Sequence, residues 1–136
     1  MGKVLAIDFG LKRTGLAITD ENKIIASGLT TVESKEMMTF LIELSKKEQI
    51  ETIVLGEPKR LNTEDSHITS NVRLLKEALE KQFPSIPVIL VDERFTSKMA
   101  FQTMIDGGLS KKKRKNKELI DEISATIILQ SYLTSI

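Results

Sequence analysis

Hydrophobic positions along this chain recur first at every second residue and later at every third or fourth, and that change of period separates strands from helices. Apolar residues alternate or run together over "KVLAID", "GLAIT" and "KIIASGL", which predicts strands from Lys3 to Asp8, Gly15 to Thr19 and Lys23 to Leu29. Asp20-Glu21-Asn22 supplies a turn between the second and third, while Gly10 and Gly15 permit tight backbone geometry around the first link. Three strands in quick succession, joined by such short turns, predict an antiparallel meander. The period then lengthens. Met37, Met38, Leu41 and Leu44 form one helical stripe behind Ser34, a residue type suited to an N-cap.

"TIVL" from Thr52 reads as a fourth strand, and Ile68, Val72, Leu75 and Leu79 mark the buried stripe of a second helix that Pro84 and Pro87 terminate. "VILV" is apolar throughout, as a central parallel strand covered on both faces should be. Thr96 or Ser97 caps a third helix ending before Gly107-Gly108, and a last helix runs roughly from Lys117 to Leu133. The order β-β-β-α-β-α-β-α-α predicts an α/β fold. Its mixed five-stranded sheet has three antiparallel strands, then two parallel strands joined by right-handed helical crossovers, with helices on both faces. No repeat, low-complexity linker or boundary interrupts it, so residues 1–136 are expected to form a single domain.

Composition narrows the chemistry. With 136 residues, 40% hydrophobic and 29% charged, the chain is long enough to bury roughly two thirds of its unfolded surface. No apolar stretch approaches the roughly 20 residues of a membrane helix and no signal-peptide core follows the first residues, so a cytoplasmic protein without a membrane partner is expected. The chain has no cysteine, and its one histidine, His67, reads as a surface residue near a helix start. Disulfides, thiolate ligands and histidine-rich zinc sites are thereby excluded, and any catalytic metal must be held by carboxylates, which selects Mg2+ or Mn2+.

Charge is unevenly spread. The net value of +1 includes "KKKRKNK" from Lys111 to Lys117, six cations in seven residues; +1 less 6 leaves −5 for the remainder. A basic run on an acidic body points to a polyanion, with a solvated loop as the plainer alternative. Aromatic residues make up only 4%, too few for a base-stacking platform.

The acids fall at element ends. Asp8 closes the first strand, Glu57 follows "TIVLG", Asp92 and Glu93 follow "VILV", and Asp121 shares a helical stripe with Ala125, Ile128 and Tyr132. In an open α/β sheet the carboxyl ends of adjacent parallel strands face one crevice. Carboxylates crowded there repel, and divalent cations remove the conflict: two ions about 4 Å apart suit in-line hydrolysis of a phosphodiester. Each acid also has a plainer reading. Asp8 fits a turn, Glu57 the start of a solvated loop, Asp92 an ion pair with Arg94, and Asp121 a helix-margin pair with a lysine. The joint pattern outweighs these. Lys12, Arg13 and Arg94 are candidate phosphate contacts. The triplet Asp8-Phe9-Gly10 matches the kinase metal motif in letters only, since the glycine-rich loop, lysine and H-R-D loop that precede it in a kinase are missing.

Four blocks, "AIDFGLKRTGLAITD", "VLGEP", "VDERFTSKMA" and "KELIDEISATIILQSYL", resemble in order and spacing those of the YqgF family, pre-16S rRNA nucleases also described as Holliday-junction-resolvase-like. The resemblance spans almost the whole chain. It implies a ribonuclease-H-like fold and a cytoplasmic, magnesium-dependent nuclease that matures the 5′ end of the small-subunit ribosomal RNA precursor on structured RNA, in contact with pre-ribosomal particles. Branched DNA is the other implied substrate. Carried over by motif, Asp8, Glu93 and Asp121 are the catalytic acids and Asp92 an adjacent metal ligand. Gly56-Glu57-Pro58 departs from the family's G-L-P, so Glu57 competes with Glu93 to complete the site. Lys12, Arg13, Arg94 and the basic run Lys111, Lys112, Lys113, Arg114 and Lys115 would orient phosphates. Ser124 stands where alanine is usual. A non-catalytic RNA- or ribosome-binding factor is the competing reading, and monomer and homodimer both remain open.

Overall fold

A computed structural model describes residues 2–57, 64–92 and 117–135. Its elements run β1 (Lys3–Phe9), β2 (Arg13–Thr19), β3 (Ala26–Glu33), a 3-10 turn (Ser34–Glu36), α1 (Met37–Lys47), β4 (Ile50–Glu57), α2 (Glu64–Gln82), β5 (Val88–Asp92) and α3 (Lys117–Ser135). The five strands form one sheet in the order β3-β2-β1-β4-β5. β1 pairs antiparallel with β2, as β2 does with β3, whereas β1 with β4 and β4 with β5 are parallel. The expected meander followed by two parallel strands is therefore the observed topology. The helix expected between Thr96 and Gly107, and the basic loop, lie outside the described residues.

The two faces of the sheet pack differently. Leu5, Ile7, Leu16, Ile53 and Leu55 point to one side and meet Met37 and Leu41 of α1 and Val72, Leu75 and Leu79 of α2. The alternate positions Val4, Ala6, Ala17 and Val54 point to the other side and meet Ala125, Ile128 and Leu129 of α3. Large residues fill the first layer. Small ones, Ala6, Ala17 and Ala125, let α3 lie close against the second, and each is fully buried. Close approach extends to Gly28 in β3: a Cβ there would stand 3.3 Å from Glu122 Oε1 and 3.4 Å from Thr126 Oγ1. The α1/α2 layer is thus filled by large side chains and the α3 layer partly by alanines.

Three boundaries differ from the sequence pattern. β2 begins at Arg13 rather than Gly15, because Arg13 pairs with Glu33 and Thr14 with Val32. β3 starts at Ala26, not Lys23, and continues to Glu33, where the β-branched Thr30-Thr31-Val32 favour extended backbone. Residues 23–25 belong instead to a turn organised by Asp20. Its Oδ1 accepts from the N–H groups of Ile24 (2.8 Å) and Ile25 (2.9 Å), and Lys23 takes φ 59° within that loop. The N–H of Ile25 and then that of Ile24 hold the Asp20 carboxyl below its ordinary pKa. Between Leu16 and Ala17 the register shifts by one, leaving Leu29 as the extra residue of a bulge.

The third difference concerns Ser34. It does not cap α1, whose N-cap residue is Glu36 with no side-chain hydrogen bond. Its hydroxyl is committed to the β1–β2 loop.

Candidate functional site

β1, β4 and β5 are neighbours and run in the same direction, so their carboxyl ends fall on one edge of the sheet. Ile7 is level with Leu55, and Glu57 with Asp92. Asp8, Glu57 and Asp92 therefore share that edge, with β1 and β5 about 10 Å apart by strand spacing. The register places the backbone of these three sequence candidates along one edge. In the two-residue repeat of the strands, Asp8 falls in the Val4–Ala6 phase, Glu57 in that of Ile53 and Leu55, and Asp92 in that of Val88 and Leu90. Asp8 is half-buried.

Asp121 lies in the second turn of α3, four residues before Ala125 and seven before Ile128, both buried against the sheet. Its neighbour Glu122 sits beside Gly28. Gly28 is level with Ala17 of β2, and Ala17 with Ala6 of β1, two residues before Asp8. The start of α3 is thus anchored over the row adjoining the acidic edge. Glu93, Arg94 and the cations Lys111, Lys112, Lys113, Arg114 and Lys115 lie outside the described residues. Among the described residues no three acids or histidines by themselves form a metal cage.

The loop that follows Asp8 is held tightly. Ser34 N–H donates to the Lys12 carbonyl (2.9 Å) and Ser34 Oγ donates to the Gly10 carbonyl (2.5 Å). With that proton committed, the Thr14 hydroxyl is the donor in its 2.9 Å contact with Ser34 Oγ. Gly10 is required here, since a Cβ would stand 2.6 Å from the Arg13 carbonyl oxygen. One serine at the end of β3 therefore fixes the backbone of residues 10–12, immediately after the acid. Reading Ser34 as a helix cap missed this, because the partner lies across a strand pairing that the local sequence does not display.

The same loop forms one wall of a groove of about 500 Å³, lined by Leu11, Lys12, Arg13, Thr31, Val32, Glu33 and Lys35. Lys12 and Arg13, proposed from sequence as phosphate contacts, are brought together there. Lys35 joins them through the β2–β3 pairing. Two ion pairs lie at the other end of the sheet, Lys3 with Glu48 and Lys23 with Glu51, each at 2.6 Å. Lys3 is raised above its ordinary pKa, chiefly by its hydrogen bond to Glu48, and Glu51 is lowered, chiefly by that to Lys23. No helix among the described residues is long and apolar enough to cross a membrane.

A mixed sheet in this order, with acids at the carboxyl ends of its parallel strands and helices on both faces, defines a ribonuclease-H-like α/β protein. Thermus thermophilus RuvC, solved in complex with a Holliday junction substrate, shares that fold at TM-score 0.61. The match has 15% identity and covers 99% of this chain and 96% of that one. The family model described as RuvX, Holliday junction resolvase, matches residues 2–135, and the chain belongs to that family. A relative from Flavobacterium psychrophilum described as "Putative pre-16S rRNA nuclease" is 56% identical over 134 residues, 98% of each chain. One of the same description from Phocaeicola vulgatus is 53% identical, over 99% of this chain and 97% of its own. The resemblance read from the four sequence blocks is borne out.

Proposed function

We propose that this protein is a metal-dependent nuclease that hydrolyses phosphodiester bonds of structured RNA and trims the 5′ end of the pre-16S rRNA. The observation that supports this reading is that Asp8 closes β1 in the Val4–Ala6 phase that packs on α3, and that the start of α3, which carries Asp121, is anchored beside Gly28 in a cross-strand row two residues before that acid. The candidate ligands among the described residues, Asp8, Glu57, Asp92 and Asp121, are all carboxylates, which fits Mg2+ or Mn2+ rather than a thiolate- or imidazole-selecting metal. Asp8, Asp121 and Glu93 are assigned as the metal-holding acids. Glu93 is assigned by its place in the "VDER" block, and Glu57 and Asp92 are the alternative ligands. Bound there, a divalent cation supplies Lewis acidity and charge neutralisation at the scissile phosphate. The protein's own part is positional. Ser34 steadies the loop after Asp8, and Lys12, Arg13, Arg94 and the run from Lys111 to Lys115 orient phosphates. Residues 1–136 act as one nuclease domain in this reading, in the cytoplasm and on pre-ribosomal particles.

Branched DNA is the second substrate class, favoured by membership of a family described as Holliday junction resolvases. Purified protein with magnesium or manganese is offered a precursor RNA carrying the 16S 5′ leader and, separately, a four-way DNA junction. RNA cleavage that chelation stops and that Asp8→Asn lowers at least about a hundredfold, the scale of losing a metal ligand, supports the proposal. A correctly folded Asp8→Asn protein that cuts RNA as fast as wild type refutes it. Salt-sensitive RNA binding with no turnover under any metal would identify a binding factor instead.

A further inference from the structure

The groove beside the β1–β2 loop has a definite relation to the acidic edge. Asp8 is level with Gly15, and Gly15 with Thr31, so a single cross-strand row leads from the acid to a groove-lining residue two strand spacings away, about 10 Å. Arg13 and Glu33 are level with each other two positions nearer the strand end. They share the phase of Ala17, whose side chain packs under α3, and hence the face of Asp8. Among the described residues, three cations, Lys12, Arg13 and Lys35, line the groove with one acid, Glu33. Its wall is pre-set by the hydrogen bonds of Ser34 to Gly10, Lys12 and Thr14. Leu11, 63% exposed, adds an apolar surface against which a sugar or base can lie.

Resting on the nuclease reading, we propose that this groove seats the phosphodiester backbone flanking the cleaved bond, with Lys35 as a phosphate contact and Glu33 as the counter-charge that moderates it. Lys35 Nζ stands 3.3 Å from Glu33 Oε2, and both side chains are mostly exposed. Such a pair is weak and screened, so an incoming phosphate readily displaces the carboxylate. The distance from Asp8 makes the groove a seat for neighbouring phosphates rather than the scissile one.

Binding of a hairpin RNA and of a four-way DNA junction is measured from 50 to 200 mM salt in the Asp8→Asn background, where affinity is read without turnover. Lys35→Ala is expected to weaken binding about three- to tenfold and to lower the slope of log K against log salt by about one, the signature of one lost phosphate contact. Lys35→Arg retains the slope. Glu33→Gln binds at least about twofold more tightly, a gain expected only if an anion passes that side chain. Lys46→Ala, an exposed cation on α1 across the sheet, leaves affinity unchanged. A Lys35 effect on one polymer alone also supports the groove and names the substrate it takes. Unchanged affinity and slope for Lys35→Ala on both polymers, or an equal loss from Lys46→Ala, overturns the proposal. Neither result touches the nuclease reading, which fails separately if Asp8→Asn cleaves normally.

Discussion

Removing the Ser34 hydroxyl has a cost that follows from its two partners. In Ser34→Ala the Gly10 carbonyl loses a 2.5 Å donor and the Thr14 hydroxyl, 0% exposed, loses its 2.9 Å acceptor. Each bond contributes about 0.5–1.5 kcal/mol net, and an orphaned buried hydroxyl costs about 1–3 kcal/mol, so a loss of about 2 kcal/mol is expected. For a domain of this size that corresponds to a fall in Tm of about 7 °C. Urea unfolding of wild type, Ser34→Ala, Thr14→Val and the double variant isolates the pair. The double variant should be less destabilised than the sum of the singles by about 1 kcal/mol, because removing both partners leaves no orphan. Ser34→Thr keeps the hydroxyl and should stay near wild type. In the cleavage assay Ser34→Ala should lower kcat more than it raises KM, since the loop it holds follows Asp8. An unchanged unfolding midpoint, or additive single effects, would refute the account of Ser34 as the tie of this loop.

Three further outcomes are expected. Ser124, 1% exposed, has a hydroxyl with no partner among the described residues, so Ser124→Ala should raise stability by about 1 kcal/mol in thermal melts; a fall would mean that the hydroxyl is satisfied. Ala125→Leu, in the tight layer under α3, should cost about 1–3 kcal/mol by overpacking and reduce cleavage by lifting α3; wild-type stability would contradict the close approach. The carboxyl of Asp20 is lowered by the N–H groups of Ile25 and Ile24, so its contribution is full above the unfolded value of about 3.9 and fades as pH falls through the lower folded value. The stability gap between wild type and Asp20→Ala should accordingly be flat at neutral pH and shrink below about pH 4; a gap that widens in acid would reverse the sign.

Sequence alone determined the element types, the meander-then-parallel order and the acidic strand ends. These are properties of local periodicity and of which residue stops an apolar run. That Val4 and Ala6 face α3 while Leu5 and Ile7 face α1 and α2 was decided by packing, because the run is apolar on both sides. Only the tertiary structure decided that Arg13 belongs to β2, that Lys23 turns while Thr31 and Val32 extend, and that Ser34 serves the loop after Asp8 instead of capping α1. It also brought Lys35 to Lys12 and Arg13, an adjacency created by a strand pairing between segments some twenty residues apart. The physical reason is common to all of these. A helix or strand is dictated by neighbours a few residues away, whereas a serine hydroxyl or lysine ammonium takes its partner from whichever strand the sheet's register sets beside it.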